Sequence, residues 1–407
     1  MKEQARRAMH LCRELAACSE EPGKTTRTFL SPPMKDVHRI LSARMGEAGM
    51  QISVDAAGNL HGLLPGARPE APRLLIGSHL DTVPDAGAFD GVLGVVLGIL
   101  LAETFQSRQQ ILSIEVIGFS EEEGVRFGTP FIGSRALVGS LDQTDLDIRD
   151  RQGCSLQEAI RAFGLEPSDL AQARLADVAI GYLEFHIEQG PVLESLDCPL
   201  GIVDAIVGQS RLELVFAGKA NHAGTTPMNL RQDALAGAAE WILEVERTAC
   251  TYDGLVATVG QIDIAPNATN AIPARVVASL DVRHADDDVR RDRAHQLVSA
   301  AQAVARRRGL SLTCRHQLDL PAMPTDETMS NRLERAVRTT EYPVHRMASG
   351  AGHDAMIMAP HVPSAMLFLR SPRGVSHSPE ESVLVDDVEA ALVVGLQFLR
   401  DLESRYA

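Results

Sequence analysis

Over the first 200 residues, short consecutive apolar runs alternate with helical patterns, and this predicts an α/β sheet. Residues 73–77 read as a buried strand that ends directly before His79. Residues 91–101 are apolar throughout, with Gly91, Gly94 and Gly98, and predict a buried helix packed closely on that sheet. A strand over 111–119 delivers three glutamates at its C-terminal end, and another over 180–187 ends near His186. From residue 209 the pattern changes. Strict alternation over 210–217, a helix over 231–250, strands over 255–264 and 274–283, a long amphipathic helix over 286–308 and a strand over 310–316 give the order β-α-β-β-α-β. Helix 325–340, strand 363–369 and helix 386–402 follow. The fold class expected is therefore α/β. A catalytic domain of residues 1–208 and 321–407, with a mixed sheet flanked by helices, is interrupted by a small βαββαβ domain at 209–320. The insert holds none of the main polar motifs, which lie on both sides of it, so it is expected to be a lid.

Length and composition narrow the class without choosing a chemistry. The 407 residues suffice for two or three domains. Apolar and charged contents of 45% and 23% are ordinary for a globular chain. A net charge of -15 argues against nucleic acid or an anionic membrane as partner, but not against a small anion held by a local basic site. The six dispersed cysteines form no C-x-x-C pair, so free, buried thiols in a reducing compartment are expected. The N-terminus mixes charged and apolar positions as an amphipathic helix would, unlike a signal peptide. No stretch approaches the ~20 apolar residues of a membrane span, and a cytoplasmic location is expected.

The candidate chemistry lies at the strand ends. Gly77-Ser78-His79-Leu80-Asp81, Phe89-Asp90-Gly91, Ser120-Glu121-Glu122-Glu123-Gly124, His186-Ile187-Glu188-Gln189-Gly190 and Gly374-Val375-Ser376-His377-Ser378 gather metal-ligand residue types in glycine-punctuated motifs. Each has an ordinary role: polar strand end for His79, helix cap for Asp90, solvated turn for the glutamates, core imidazole for His186, exposed loop for His377. Together they supply what two metals sharing one carboxylate need, a bridging Asp, terminal His and carboxylates, and a spare carboxylate for a proton. Mixed imidazole and carboxylate ligation suits Zn, Mn or Co. Arg283, at the end of an apolar strand, can hold a substrate carboxylate bidentately, or pair with Asp281 or Asp286.

The segments GSHLDTVPDAGAFDG, GFSEEEGVRFG, FHIEQG, ANHAGTTPM, SGAGHDA and GVSHSPEE resemble the binuclear-metal peptidase clan of aminoacylases and carboxypeptidases. They are most similar to its amidase/hydantoinase/carbamoylase branch, which holds N-carbamoyl-L-amino-acid hydrolases, β-ureidopropionases and allantoate amidohydrolases. The peptidases usually have a carboxylate where this chain has His186. The resemblance covers nearly the whole chain and implies that His79 and His186 bind one metal and Glu123 and His377 the other, with Asp90 bridging. It makes Glu122 the general base and Asp81 the residue that orients His79. Substrate contacts fall on Gln189, His222, Asn270, Arg283, Gly352 and His353, with His222 stabilising the oxyanion across a homodimer formed by the lid domains. Two divalent ions, Zn or Mn, are implied. The activity implied is hydrolysis of the ureido C–N bond of a small carboxylate, releasing ammonia and CO2. The run SGAGHDAMIMA with VPSAMLFLRSPRGVSHSPEESV looks most like the allantoate-cleaving subgroup. N-carbamoyl-L-amino-acid hydrolysis, β-ureidopropionase activity and, further off, a di-metal aminoacylase or exopeptidase are the alternatives. A binding protein without catalysis fits poorly, because Glu122 and all five ligand positions are present.

Overall fold

The computed structural model describes residues 1–107, 110–175 and 179–406. Two compact units emerge, Met1–Asp204 with Thr325–Ala407, and Ala205–Pro324. At the centre of the first is a mixed sheet, as the α/β pattern predicts. Its strands run in the order Gln51–Val54, Leu60–Leu64, Ser113–Phe119, Arg73–His79, Gly181–Ile187, Ser364–Leu369, Leu200–Ile206. The four strands from Ser113–Phe119 to Ser364–Leu369 are mutually parallel, and the flanking pairs are antiparallel. The parallel strands are buried almost throughout, which explains why they read as continuous apolar runs and not as alternations. Helix Val92–Phe105 packs on three of these strands and is apolar on every face because it is covered on every face, with helices Lys2–Ala16 and Val385–Glu403 also against it.

The second unit is an antiparallel sheet of Ser311–Leu320, Gly208–Ala217, Arg275–His284 and two short strands, backed by helices Ala234–Thr251 and Asp287–Arg308. Trp241, Phe216, Leu214, Val276, Leu280 and Leu297 fill its core. Asp233 and Asp286 cap the helices by accepting backbone N–H groups, and Gly309 ends the second helix at φ 65° beyond three arginines. One expectation needs correcting: the single strand over 255–264 is two, Val256–Thr258 and Ile262–Ala265. The Ser279 hydroxyl takes the Gln261 N–H at 2.9 Å, so a side chain interrupts the ladder between them. The thiols also differ from expectation. All six are free, but only Cys12 is fully buried, while Cys250 and Cys314 are exposed. Among the described residues, no helix is long and apolar enough to cross a membrane.

A buried ion network braces the sheet beside the hairpin of Gln51–Val54 and Leu60–Leu64. His61 lies 2.8 Å from Glu115 Oε1 and 3.3 Å from Asp55 Oδ2, and Arg73 donates to Glu115 at 3.0 Å. Burial pushes the imidazole pKa down, but the two carboxylates prevail and carry it from 6.5 to about 9. A folded value above the unfolded one stabilises the fold below the unfolded pKa, and that stabilisation is lost as pH rises through the folded pKa. Its full size is on the order of 3 kcal/mol. The stability gap between wild type and His61→Asn, from denaturant midpoints, is expected to be widest near pH ~6 and to shrink towards pH ~10. A gap constant over that range would mean that His61 is neutral throughout.

Candidate metal centre

Strands Ser113–Phe119, Arg73–His79 and Gly181–Ile187 are parallel neighbours, so their C-terminal ends open on one edge of the sheet. This is where open α/β sheets place their sites. His79 ends its strand, His186 is the penultimate residue of the next, and the glutamate turn begins one residue after Phe119. Asp90 arrives from the loop before helix Val92–Phe105. It is not the helix cap: Gly91 is, at φ 64°, and a Cβ there would stand 2.5 Å from the His79 ring. Glycine therefore lets Asp90 approach His79. The structure brings together all five residues expected as ligands, and Glu122 with them. His79, Asp90 and His186 form one group of converging donor atoms, Asp90, Glu123 and His377 a second, and His79, Glu122 and Glu123 a third.

The hydrogen bonds show what the cluster can hold. His79 Nδ1 lies 3.0 Å from the Asp81 carbonyl oxygen, and His186 Nδ1 lies 2.9 Å from that of Ile187. A carbonyl only accepts, so both Nδ1 atoms carry the proton and both Nε2 atoms are bare in the neutral rings. Those two Nε2 atoms face each other at 3.3 Å, with both side chains buried. Asp90 Oδ1 lies 3.2 Å from His186 Nε2 and 3.6 Å from His79 Nε2, yet has no aligned hydrogen bond among the described residues. Its Oδ2 lies 3.2 Å from His377 Nε2, which in turn is 3.3 Å from Glu123 Oε1. Lone pairs aimed at common points repel unless a proton or cation lies between them. Divalent cations satisfy the whole donor set, so the residues fit a metal centre.

The surroundings hold these groups in place. The Asp81 carboxylate, expected to orient His79, lies 3.5 Å from its Nδ1, and the orienting bond goes to the Asp81 main chain. The carboxylate oxygens instead accept the Glu122 and Glu123 N–H groups at 2.9 and 3.1 Å. Burial drives the Glu122 carboxyl well above the ordinary range; Glu123, Asp354 and Asp81 add to this, and His79 opposes it. His377 and Gln189 have left-handed φ values of 54° and 58°. Such strain, about 1–3 kcal/mol each, persists where the surroundings over-determine a position.

The expected substrate contacts are distributed between the units. Gln189 Nε2 lies on the cluster, 3.1 Å from Asp90 Oδ2 and 3.4 Å from His377 Nε2. Gly352 is beside Glu122, since a Cβ there would be 3.9 Å from Glu122 Oε1. His353 is packed behind His186 with ring centroids 4.4 Å apart, buried, its Nε2 on Ser349 Oγ at 2.8 Å. Burial, followed by repulsion from His186, depresses its pKa and keeps it neutral. His222, Asn270 and Arg283 belong to the second unit. His222 and Asn270 are neighbours there, with Ala223 N–H on the Asn270 carbonyl at 2.9 Å. Arg283 donates to both oxygens of Asp281 at 3.0 and 3.1 Å.

The pattern reading missed Glu381. Its Oε1 accepts the N–H groups of Phe89 and Asp90 at 2.9 and 3.0 Å, clamping the backbone of Asp90. Burial, with Asp90 nearby, pushes its pKa up to about 7. The signal was a second glutamate four residues after His377, in a motif already singled out for its histidine.

Proteins of known name and structure are similar to this chain over nearly its whole length. The chain is 40% identical over 429 residues to a probable allantoate deiminase of Oryza sativa subsp. japonica, covering 95% of this chain and 86% of that one. It is also 40% identical over 372 residues to an N-carbamoyl-L-amino acid amidohydrolase of Geobacillus stearothermophilus, covering 90% and 91%. A hydantoinase/carbamoylase family amidase of Burkholderia multivorans superposes with a TM-score of 0.91 at 29% identity, over 97% of both chains. The sequence profile of peptidase family M20/M25/M40 spans residues 75–401, every strand end of the cluster included, and the chain belongs to that family.

Proposed function

We propose that this protein is a metal-dependent amidohydrolase that cleaves the ureido C–N bond of a small carboxylate, with allantoate as the preferred substrate. The observation that carries the reading is the convergence of His79 and His186 Nε2, 3.3 Å apart, on the buried Asp90 Oδ1, with Glu122 and Glu123 beside His79. His79 and His186 would hold one divalent ion, Glu123 and His377 a second, and Asp90 would serve both; Zn and Mn suit these donors, and Co is possible. Bound there, the ions supply Lewis acidity, polarising the carbonyl and making a water acidic enough to lose its proton near neutral pH.

The protein's own groups do the rest. Glu122, buried and poised to hold a proton, takes one from the attacking water on its carboxylate and delivers it to the departing nitrogen. Water adds to the ureido carbon, the C–N bond breaks, and ammonia leaves; the carbamate then loses CO2 to give an amine. His222 is suited to the oxyanion. Its Nδ1 accepts the Gly224 N–H at 3.0 Å, so its exposed Nε2 carries the proton and can donate. Arg283, Asn270 and Gln189 would fix the substrate carboxylate, with Gly352 and His353 lining the site. In this reading the second unit is a lid and dimerisation domain, and His222 acts across a homodimer.

The named relatives divide between allantoate and N-carbamoyl-L-amino acids, so both stay in the test, as does N-carbamoyl-β-alanine. Metal-stripped protein reloaded with Mn or Zn is expected to release ammonia from allantoate at the highest kcat/KM of the panel. A higher value on a carbamoyl amino acid would reassign the substrate. Absence of ammonia from every member, with metal bound and with peptide or N-acyl-amino-acid cleavage instead, would overturn the reaction class.

A further inference from the structure

The glutamate turn is held from two sides, and only one of them is part of the candidate metal centre. Asp81 takes the Glu122 and Glu123 N–H groups. On the other side stands Asn59, in the tip of the hairpin that joins Gln51–Val54 to Leu60–Leu64, fully buried. Its Oδ1 accepts the Ser120 N–H at 3.1 Å, and its Nδ2 donates to the Gly133 carbonyl at 3.0 Å and to Asp55 Oδ2 at 2.7 Å. Ser120 returns a bond from Oγ to the Ala57 carbonyl at 2.8 Å. Asp55 itself accepts the Ala57 and Asn59 N–H groups, both at 2.9 Å, so the tip is rigid. Gly133 is the second residue of helix Ile132–Val138, and Phe131, which caps that helix, donates its N–H to the Glu122 carbonyl at 3.3 Å. A Cβ at Gly133 would stand 2.3 Å from Asn59 Oδ1, so that helix is seated directly on the amide.

We infer that Asn59 is a positioning residue for the reaction: its amide joins the hairpin tip, helix Ile132–Val138 and the start of the glutamate turn, and thereby sets where Glu122 and Glu123 stand. All three of its bonds go to groups fixed by other contacts, and none goes to a metal-ligand candidate or to the bulk of the core. An amide is the one side-chain type that serves this junction, because it must accept from one N–H and donate to both a carbonyl and a carboxylate. A displacement of about 1 Å at the reacting groups is enough to cost ~10²-fold in rate.

The inference rests on the amidohydrolase reading, so its test includes a measurement independent of turnover: Mn2+ binding by equilibrium dialysis, with kcat and KM in parallel. Asn59→Ala is expected to lower kcat by about 10²-fold with KM within about threefold, and to weaken Mn2+ binding by about tenfold, as loss of supporting contacts does. Ser120→Ala, a smaller change that removes only the Oγ bond to Ala57, should move both quantities in the same direction by less, and it carries the test if Asn59→Ala does not fold. A folded Asn59→Ala or Ser120→Ala protein with wild-type kcat and Mn2+ affinity, and only a lower melting temperature, would reduce Asn59 to a structural role and overturn the inference. Wild type that binds Mn2+ but hydrolyses no ureido acid would sink the amidohydrolase reading alone, because weaker Mn2+ binding by Asn59→Ala still upholds the positioning role. Wild type that binds no Mn2+ would overturn both.

Discussion

Glu122→Gln is expected to retain metal binding and to lose turnover by about 10³–10⁴-fold, the upper part of the range for a positioned general base. The two side chains have nearly the same shape, so the backbone bonds from Glu122 and Glu123 to Asp81 remain and the turn keeps its course. What disappears is an oxygen that can accept and return a proton. Glu122 is buried, which drives its carboxyl towards holding a proton, and His79 nearby pulls the other way. A carboxylate can take a proton from water and give it to a leaving nitrogen, whereas an amide cannot. The measurement is kcat beside metal content in the same preparation. Full metal content with retained kcat would assign proton transfer to another group. A loss of metal along with activity would mean that Glu122 is a ligand, as the third group of converging donors, His79, Glu122 and Glu123, permits.

Asp90→Ala should have the second large effect, through binding. Asp90 belongs to two of the three donor groups, and its oxygens divide the work: Oδ1 near the two imidazoles of His79 and His186, Oδ2 near His377. Removing it leaves two of the converging donor groups incomplete. A ligand at about 1,000 times its dissociation constant adds about 4 kcal/mol to stability. Wild type stripped of metal should therefore show a clear rise in Tm on adding Mn2+ or Zn2+, and Asp90→Ala should show almost none, with turnover below detection. Since the substitution leaves the backbone clamp by Glu381 in place, the loss would be of ligation and not of loop position. An Asp90→Ala protein with the wild-type metal-dependent rise in Tm would remove Asp90 from the centre.

The Asp81 carboxylate illustrates how far a motif can be read. The family resemblance makes it the orienting partner of the His79 imidazole. The structure assigns that bond to the Asp81 main chain and gives the carboxylate to the glutamate turn, 41 and 42 residues away in sequence. Spacing along the chain records which residue types recur together, but not the direction in which a side chain leaves a loop.

The chain by itself determined the elements whose burial is uniform or strictly periodic. Parallel strands covered on both faces must be continuous apolar runs, and a helix covered on all sides must be apolar all round, so the segments 73–77, 111–119, 180–187 and 91–101 are readable in the sequence, as are the polar residues at their ends; the structure moves their bounds by a few residues. Tertiary structure alone decided what joins distant segments. The Asn59 amide meets Ser120, 61 residues away, and Glu381 meets Phe89 and Asp90 across more than 290 residues. The break at Gln261 depends on the hydroxyl of Ser279 in a neighbouring strand. The physical reason is one of range. Apolar periodicity arises from burial, which acts residue by residue along an element, whereas a hydrogen bond between loops depends on two backbones that the fold must first bring within about 3 Å.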